Sequence, residues 1–531
     1  MKRLIPYMKG YWKECILGPV FKLLEAIFEL IVPLVTAKII DVGIANRDAG
    51  YIWKMGGVML ILAACGLCFA LICQYFASKC AYGFGTALRR ELYHHVNTLS
   101  HSEIDRLGTA SLITRITSDT NTVQSGLNMM IRLATRCPFL IIGAAIMAMR
   151  IDLKLSVIFL IAIPVIGILL YSVTSWTIPQ YGKNQSKLDN IARHTRENLD
   201  GVRVIRAFSR QQEEIGSYRE DCDVFARRSI IVGRVGSILN PASFFIMNMG
   251  IVAVLWFGGI RVDTGHLTQG ELTAFVNYMT QIALSMVRMA ELLVSFNKAA
   301  ASAKRISDVL AEEPDIRSGS LTAAEKEQVP VLTFDHVTFA YPDGGEPALH
   351  DISFSLNAGE TLGIIGGTGS GKSTIINLIP RFYDVTEGSV QLYGEDVRKY
   401  TLDSLRDLIG VVPQKASLVS GTIADNLRWG NADADENQMI EACQIAQAWE
   451  FVSQTENGLQ TPVAQGGRSL SGGQKQRLTI ARAITGKPSV LILDDSMSAL
   501  DYATDLALRR ALQTKMQNVT KIIVSQRATS I

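Results

Sequence analysis

The second half of this chain takes its fold from the stretch Gly366-Gly367-Thr368-Gly369-Ser370-Gly371-Lys372-Ser373-Thr374. It fits the pattern G-x-x-x-x-G-K-[ST] and lies between an apolar strand pattern, 361–365, and a helical pattern, 374–379. In that setting backbone N–H groups close around a phosphate, Lys372 reaches the outer phosphate oxygens, and the Ser373 hydroxyl binds Mg²⁺. We therefore predict an ATP site over residues 366–374 with Mg²⁺ as cofactor; the alternative is a glycine-rich turn with an incidental lysine.

Three residues outside this loop are predicted to complete the nucleotide site. Asp494 ends an apolar strand and is the expected Mg²⁺ carboxylate, although a helix N-cap is the alternative. Gln414 follows Val-Val-Pro and is expected to touch the metal, so the predicted metal ligands are Ser373, Gln414 and Asp494. Tyr341, at the end of another strand, is predicted to stack on adenine, with an ordinary surface aromatic as the alternative.

The strand patterns after residue 330 predict an α/β domain over 330–531. Residues 332–339 and 352–356 alternate between apolar and polar, as in a sheet with one buried face. Residues 490–493 and 522–524 are continuously apolar, which is typical of parallel strands buried on both faces. The expected fold is an α/β P-loop NTPase core with an antiparallel edge, preceded by a polar linker over 311–329.

The first half of the chain has the composition of a membrane domain. The 531-residue chain is 48% apolar, which is high for a soluble protein. Crossing a bilayer takes about 20 mostly apolar helical residues. Six stretches qualify, and we predict an all-α six-helix transmembrane domain over 1–310 with spans at about 15–39, 56–83, 130–150, 155–178, 241–260 and 272–296.

The connections between the spans predict the orientation. Loops 86–129 and 180–238 are long, helix-patterned and rich in Lys and Arg, whereas the others are short. The positive-inside bias places the long helical extensions, both termini and the following domain in the cytoplasm. Residues 1–13 mix Lys with Tyr and Trp, which indicates an interfacial segment rather than a cleaved signal peptide. We expect a multi-pass protein of the cell membrane.

Charge and cysteine content exclude other classes of partner. The net charge of +3 is too small to indicate a nucleic-acid partner. The eight cysteines are scattered, so neither a disulfide framework nor a metal site is predicted, and Cys65-x-x-Cys68 is interpreted as helix packing.

With Leu470-Ser471-Gly472-Gly473-Gln474 added to these motifs, the chain resembles the ATP-binding cassette superfamily. Six spans before one cassette resemble an exporter-type half-transporter, with a β subdomain and a helical signature subdomain. The resemblance implies that Ser471, Gly472, Gly473 and Gln474 clamp ATP held by an opposite subunit, and that Ser498 and Asp501 lie at the dimer contact. It also implies coupling helices at 200–208 and near 111–115, for which ordinary surface helices are the alternative.

Two residues depart from the pattern of that family. Asp495 stands where a catalytic glutamate is expected, and Gln526 stands where a histidine is expected. Asp is one methylene shorter than Glu, and a Gln amide cannot accept and return a proton at neutral pH. The combination resembles the degenerate-site subunit of heterodimeric bacterial multidrug or lipid exporters, whose partner half-transporter supplies the competent pair. Gln465-Gly466-Gly467 replaces a charged run, and the cassette is expected to be truncated after Ile531.

Ionisable and polar residues inside the predicted spans indicate where a substrate passes. Glu25 and Glu29 share a helix face with Lys22, while Asn277, Gln281 and Arg288 form a stripe in the sixth span. The alternative is structural, with Lys22 reaching the interface and amides bonding neighbouring helices. We predict ATP-driven export of a small hydrophobic or amphipathic substrate by alternating access, among membrane lipids. A gating ATP-binding subunit without transport and a slow homodimeric exporter remain the alternatives.

Overall fold

The computed structural model describes residues 2–341 and 344–525. The chain divides into two compact units, the first of residues 1–97 with 110–311 and the second of residues 98–109 with those from 312 onward. The division at 311 and 312 falls beside the expected start of the linker. Linker residues belong to the second unit, where the backbone N–H groups of Gly319 and Leu321 bond the carbonyls of Tyr400 and Lys399 at 2.9 Å each.

Regular structure before residue 311 is helical in the described part of the chain. A 3₁₀ helix, Lys2–Tyr11, comes first, and π-helical turns occur at Ile39–Ile44 and Arg115–Asp119. The α-helices are α1 Trp12–Lys38, α2 Ala49–Thr98, α3 His101–Leu107, α4 Thr109–Thr114, α5 Thr120–Leu133, α6 Arg136–Ile151, α7 Val157–Asp200, α8 Val202–Ala207, α9 Gln211–Asp263 and α10 Gln269–Val309.

Five helical stretches in the described chain are long and apolar enough to cross a membrane: Ala49–Thr98, Thr109–Ile151, Val157–Asp200, Gln211–Asp263 and Gln269–Val309. They contain four of the last five predicted spans, and the stretch Val157–Asp200 begins two residues after the start of the predicted span 155–178. All five extend well beyond at least one end of the predicted span. Helix α1 has 27 residues, which is sufficient length, but Lys22, Glu25 and Glu29 interrupt its apolar character. The first predicted span, 15–39, therefore stays a prediction.

The predicted span at 130–150 is interrupted near its start. Helix α5 ends at Leu133 and α6 begins at Arg136. Pro138 lies in the first turn of α6, where its missing N–H costs nothing, whereas within a continuous helix it would remove the bond to Ala134. The break before the proline follows from that chemistry.

The core of the first unit is formed by α1, α6, α7, α9 and α10. Phe159, Phe275 and Tyr278 are among its fully buried large side chains. The Tyr278 hydroxyl donates to the carbonyl of Leu30 at 2.8 Å, so the buried polar atom is satisfied.

The second unit contains the strands. They are β1 Leu332–Phe339, β2 Leu349–Leu356, β3 Thr361–Ile365, β4 Glu387–Leu392, β5 Glu395–Asp396, β6 Ile409–Val412, β7 Gly421–Thr422, β8 Pro462–Val463, β9 Val490–Asp494 and β10 Thr520–Ser525. One sheet is parallel in the order β3-β10-β9-β6, and a second is antiparallel in the order β2-β1-β4-β5. The alternating strands thus form a sheet of their own rather than an edge of the parallel sheet. Alternate residues of β9 pack into two different apolar cores, Leu491 and Leu493 into one and Val490 and Ile492 into the other, which explains why residues 490–493 are continuously apolar and fully buried.

Seven further α-helices cover the described part of the second unit: α11 Lys372–Leu378, α12 Leu402–Asp407, α13 Ile423–Arg428, α14 Glu436–Ile445, α15 Trp449–Ser453, α16 Gly472–Thr485 and α17 Tyr502–Lys515. Short 3₁₀ helices occur at Val397–Lys399, Gly458–Gln460 and Gln465–Gly467. Helices α13, α14 and α16 share one apolar core that includes Leu427, Cys443 and Ile480.

Helix α3 belongs to the second unit, which corrects the expectation for the first long loop. The His101 ring stacks on Phe382 with centroids 4.4 Å apart, and the Tyr383 hydroxyl donates to Asp105 at 2.9 Å. The expected segment at 111–115 instead lies in the first unit. Ser100 and Glu103 form a capping box, which explains why a helix starts at His101, ten residues before the expected segment. The expected helix at 200–208 corresponds to α8.

Candidate nucleotide site

The loop between β3 and α11 is a tight turn built on glycine. Gly369 and Gly371 have φ angles of 84° and 85°, in the left-handed region that favours glycine. A Cβ on Gly371 would also lie 2.8 Å from the carbonyl oxygen of Ala348. Since Gly371 is the N-cap of α11, the turn presents the first N–H groups of that helix at the end of β3. An anion is favoured at this position.

Lys372 places a cation across the mouth of the loop. Its Nζ donates to the carbonyls of Gly366 at 2.8 Å and Gly367 at 2.6 Å. The Ser370 hydroxyl donates to the Gly367 carbonyl at 3.0 Å, which closes the turn. The ammonium group and the helix start therefore attract negative charge to the same place.

A cavity of about 370 Å³ brings most of the predicted nucleotide residues together. Of the predicted loop residues, Gly366 and Gly367 do not line the cavity, although their carbonyls accept hydrogen bonds from Lys372. Ala348, directly before β2, and Val524, in β10, are lining residues that the sequence did not indicate, since single apolar residues carry no motif. The lining residues are Tyr341, Ala348, Thr368, Gly369, Ser370, Gly371, Lys372, Ser373, Thr374, Gln414, Asp494, Asp495 and Val524.

Two adjacent carboxylates lie at the end of β9. Burial, and then repulsion from Asp495, raise the pKa of the Asp494 carboxyl, while Lys372 partly offsets the shift. Two carboxylates, the Ser373 hydroxyl and the Gln414 amide in one cavity offer the hard oxygen donors that Mg²⁺ prefers. The residues present therefore fit the predicted cation, whose charge would relieve the repulsion.

Asp495 is held in an unusual backbone conformation. Its φ angle is 43°, in a region that few residues other than glycine adopt, and its N–H donates to the Val524 carbonyl at 3.0 Å. The Gln414 side chain donates to Asp495 from Nε2 to Oδ2 over 3.4 Å. The carboxylate is thereby directed to the same cavity as the metal-ligand candidates.

Tyr341 is packed beside the loop. Its hydroxyl lies 3.2 Å from the Thr374 hydroxyl, and its ring makes edge contacts with Phe339 and Tyr383 at centroid distances of 4.8 and 5.3 Å. These contacts fix the ring orientation at the rim of the cavity, as a stacking platform requires.

The residues predicted to act on an opposite subunit lie elsewhere in the second unit. Ser471 is the N-cap of α16 and exchanges hydrogen bonds with Gln474, whose Oε1 accepts from the Ser471 N–H at 2.9 Å and whose N–H donates to the Ser471 hydroxyl at 3.3 Å. In the described chain, none of residues 471–474 lines the 370 Å³ cavity. Gly472 and Gly473 form the first turn of α16 with open N–H groups.

Comparison with protein families decides the assignment. The sequence profile of the ABC transporter transmembrane region matches residues 15–286, which is slightly more than half of the chain, and the ABC transporter profile matches residues 349–498. This chain belongs to the ABC transporter family. The first match covers four of the five long apolar helical stretches and the start of the fifth, Gln269–Val309. The second match covers every described residue of the nucleotide cavity except Tyr341, Ala348 and Val524.

Individual relatives cover nearly the whole ABC transporter. An uncharacterized ABC transporter ATP-binding protein of Mycobacterium tuberculosis is 36% identical over 532 residues, 98% of this chain and 90% of the relative. An ATP-dependent lipid A-core flippase of Chromobacterium violaceum is 29% identical over 534 residues, 100% and 90% of the two chains. A fatty acid ABC transporter ATP-binding/permease protein of Mycobacterium bovis is 31% identical over 449 residues, 84% and 70% of the two chains.

These matches establish the architecture of the ABC transporter at a coarse level. It is an exporter-type half-transporter, in which one chain joins a multi-pass membrane domain to one ATP-binding cassette. Its cassette is of the class that binds and hydrolyses ATP.

Two further predicted residues of the ABC transporter, Ser498 and Asp501, follow Asp495 in the chain. The Ser498 hydroxyl donates to the Asp495 carbonyl at 2.7 Å. Asp501 caps α17, where its carboxylate accepts from the Thr504 N–H at 3.0 Å. Ser498 therefore links the carboxylate pair to the segment that precedes α17. Gln526 lies outside the described residues, directly after the end of β10.

The polar residues of the ABC transporter's spans form ion pairs rather than one continuous stripe. Lys22 pairs with Glu25 at 2.6 Å, and Glu29 pairs with Arg136 at 2.7 Å. The Gln281 amide donates to the backbone carbonyl of Glu29 at 3.3 Å. Arg136 was missed by the sequence analysis, although an arginine within a predicted span was a readable signal.

The residues of the predicted stripe in the last span differ in their exposure and in their partners. Asn277 and Arg288 are exposed, whereas Gln281 is half-buried. Arg288 pairs with Glu291 on its own helix at 3.2 Å. The structure thus brings Glu25, Glu29 and Gln281 to one part of the helix bundle, and it leaves the role of all five residues as a prediction.

Proposed function

We propose that this ABC transporter is one half of a heterodimeric exporter and that its own nucleotide site hydrolyses ATP slowly. The observation that carries the proposal is Asp495, a carboxylate one methylene shorter than the expected glutamate, at the edge of an otherwise fully equipped phosphate site. The nearest polar side chain bonded to it is the Gln414 amide, which donates a hydrogen bond and cannot take a proton from the carboxylate.

The binding groups support firm retention of the nucleotide. Lys372 and the start of α11 would hold the phosphates, Tyr341 would stack on adenine, and Ser373, Gln414 and Asp494 would hold Mg²⁺. The cation supplies charge neutralisation for the phosphates when it is bound. Each of these residues is of the type that its role requires, so we expect an affinity for ATP close to that of a cassette that hydrolyses ATP rapidly.

The chemical groups support slow cleavage. Hydrolysis requires a positioned water to lose a proton, and general-base assistance is typically worth about 10²- to 10⁴-fold. The Asp495 carboxylate stops short of that position, and the Gln526 amide cannot exchange a proton there. We infer a slow site in this chain and a fast site in its partner.

The signature of this chain would complete the fast site. Ser471 and the N–H groups at the start of α16 form an anion-favouring helix start, and they are outside the chain's own cavity. A partner half-transporter with Glu and His at the two altered positions would supply the rest. ATP held in the slow site would stabilise the closed pair by about 2.7 kcal/mol when ATP is at 100 times its Kd.

For the cargo we propose a hydrophobic or amphipathic molecule, moved out of the cytoplasm through six spans. Two of the relatives are named for lipid A-core and fatty acid. Glu25, Glu29 and Gln281 would face the cargo from the two helices that bring them together. Lys and Arg in the long loops support a cytoplasmic cassette in a cell-membrane protein.

The test compares the single chain with the assembled pair. The purified chain in lipid nanodiscs should show ATPase no higher than its Lys372→Ala variant, although it binds nucleotide and the variant does not. Adding a partner half-transporter with Glu and His at the two altered positions should produce multiple turnovers. Multiple-turnover hydrolysis by the chain alone, lost in Lys372→Ala, would refute the proposal.

A further inference from the structure

An apolar cavity of about 350 Å³ lies in the first unit, apart from the ion-paired residues of the spans. Its walls come from the N-terminal 3₁₀ helix and from helices α2, α5 and α10. All of the lining residues are apolar or glycine: Leu4, Ile5, Met8, Phe84, Val123, Gly126, Leu127, Met130, Phe296, Ala299, Ala300 and Ala303. Glu25, Glu29 and Gln281 are absent from this set of described residues, so the cavity is a different place from the proposed cargo path.

The cavity has a closed floor and an open lip. Leu4, Phe84 and Val123 are buried at 8% exposure or less, whereas Ile5, Met130 and Phe296 are between 41% and 47% exposed. At the floor α5 and α10 touch, since a Cβ on Gly126 would lie 2.3 Å from that of Ala299. A cavity with a buried floor and an apolar lip suits a flexible hydrocarbon chain that enters from one side.

The lip coincides with one end of the membrane spans. The lip residues Met130 and Phe296 stand at the ends of the predicted spans 130–150 and 272–296, and Phe84 of the floor directly follows the predicted span 56–83. An apolar opening at that depth faces acyl chains and headgroups rather than bulk water. A lipid in the adjoining leaflet is thus the molecule with direct access to it.

The segment that forms one wall carries the complementary charge for an acidic headgroup. Residues 2–13 contain Lys2, Arg3, Lys9 and Lys13 and no acidic residue. Arg3, Lys9 and Lys13 are exposed, as is Trp12, a residue type enriched at membrane interfaces. Basic residues beside a membrane attract anionic lipids.

We propose that this cavity binds one acyl chain of an anionic phospholipid, which fastens the N-terminal segment to α2, α5 and α10. Its volume is at the lower end of the range of about 300–1,000 Å³ for small-molecule sites, which suits part of one chain. The bound lipid is a resident of the transporter and not its cargo. Its binding needs no ATP, so the site stands whether or not the nucleotide site is slow.

The experiment maps photolabelling in the full chain. The protein is reconstituted into phosphatidylglycerol vesicles that contain a trace of phosphatidylglycerol with a diazirine in one acyl chain. After irradiation and digestion, label is expected in the peptides covering 123–130 and 296–303. Ala300→Phe fills the cavity from α10 and should reduce that label about tenfold, the effect of losing roughly two buried methylene groups.

Ala301→Phe is the matched control, because Ala301 is the exposed next residue of the same helix and does not line the cavity. It should keep the wild-type label. Leu127→Phe fills the cavity from α5 and serves as the second test if Ala300→Phe is not monodisperse by size exclusion. Unchanged label in a folded filled variant would overturn the proposal.

The choice of occupant is tested in two more arms. Diazirine-labelled phosphatidylcholine in phosphatidylcholine vesicles should label these peptides several-fold less, and equal labelling would overturn the anionic headgroup. If a second protein copy covered the cavity, label would be present in monomers and lost on dimer assembly, which would also overturn the proposal. Label retained in the assembled transporter supports it.

Discussion

The side-chain amide of Gln414 donates a hydrogen bond to the carboxylate of Asp495, with Nε2 and Oδ2 3.4 Å apart. The two residues are 81 positions apart in the chain and meet because β6 and β9 are parallel neighbours. The carboxylate that we propose for the hydrolytic position is therefore oriented by an amide. Asp495 is one methylene shorter than the glutamate that we expect at that position.

Restoring both expected side chains should restore the chemistry. Asp495→Glu combined with Gln526→His is expected to raise phosphate release by the assembled pair, because the slow site gains a base within reach of the water. The gain should be at least about tenfold at that site, below the limit of about 10⁴-fold for general-base catalysis. It is measured as turnover at saturating Mg²⁺ and ATP with the partner's own site inactivated.

Asp495→Asn is the control for this experiment, since it keeps the size of the side chain and removes its charge. It should leave the slow site as slow as the wild type. A large loss of turnover at the slow site in Asp495→Asn would instead mean that Asp495 is already an effective base.

The Tyr341 ring, rather than its hydroxyl, should hold adenine. Stacking of a base on an aromatic side chain is worth about 1–3 kcal/mol, so Tyr341→Ala should weaken ATP binding by about 5- to 150-fold. Tyr341→Phe removes only the contact with Thr374 and should bind within about twofold of the wild type. An equal loss of ATP affinity in Tyr341→Ala and Tyr341→Phe would contradict the stacking role. Equilibrium binding of a fluorescent ATP analogue gives both values.

Ser471 should serve the partner's site and the stability of α16 at the same time. Ser471→Ala removes an N-cap and should cost about 1 kcal/mol of unfolding free energy. It should also reduce turnover at the partner's site by about 10²-fold, as the loss of a preorganised donor does. Nucleotide binding by this chain alone should not change.

Asp435→Ala provides the matched control for Ser471, because Asp435 is likewise an exposed N-cap that forms a capping box, on α14. It should lower stability by a similar amount and leave turnover unchanged. If both variants reduced turnover equally, the effect of Ser471 would be one of folding only.

Glu103 should make the attachment of α3 sensitive to acid. Burial alone would raise the pKa of its carboxyl, but hydrogen bonds from Ser100 and from Asp315 outweigh burial and lower the pKa to about 2. A folded-state pKa below the ordinary value near 4.5 means that the stabilisation is complete above that pH and is lost as pH falls toward 2. The contact with Glu103 raises the pKa of exposed Asp315, which offsets part of the effect.

Hydrogen exchange of the peptide containing residues 98–109 measures this dependence. Glu103→Gln should lower its protection at pH 7 by about 1–3 kcal/mol, because one carboxylate oxygen is replaced by an NH₂ group that cannot accept from Ser100 or Asp315, and the difference from wild type should shrink below pH 4. Glu360→Gln, at an exposed carboxylate that also accepts from a backbone N–H, is the control and should change little. A difference that grows in acid would contradict the assignment.

The position of the nucleotide loop could be predicted from the sequence because its geometry depends on residues that are close together in the chain. Left-handed glycines, the strand before them and the helix after them lie within about fifteen residues, and each is set by backbone preferences of the residues themselves. The same holds for the capping box at Ser100 and Glu103, whose pattern was present in the sequence and passed over. Positions of loops and helix starts were therefore predictable in principle.

Contacts across the fold were not predictable in this way. The pairs Glu29 with Arg136 and Asp119 with Arg305 join residues 107 and 186 positions apart. Ala348, directly before β2, and Val524, in β10, line the same nucleotide cavity although they are far apart in the sequence. No periodicity or motif links such residues. Their meeting depends on which helix faces pack together and in which order the strands pair.

The sequence alone established which chemical groups are present: the phosphate-binding loop, the signature motif and, at position 495, an aspartate in place of the expected glutamate. All three depend only on residue type and on spacing within a short segment. The arrangement of those groups came from packing alone. Parallel pairing of β6, β9 and β10 brings Gln414 and the carboxylates to one cavity, and the antiparallel sheet brings Tyr341 to its rim. Short-range torsional preferences are carried by individual residues, whereas long-range contacts arise only when apolar burial selects one arrangement of the whole domain.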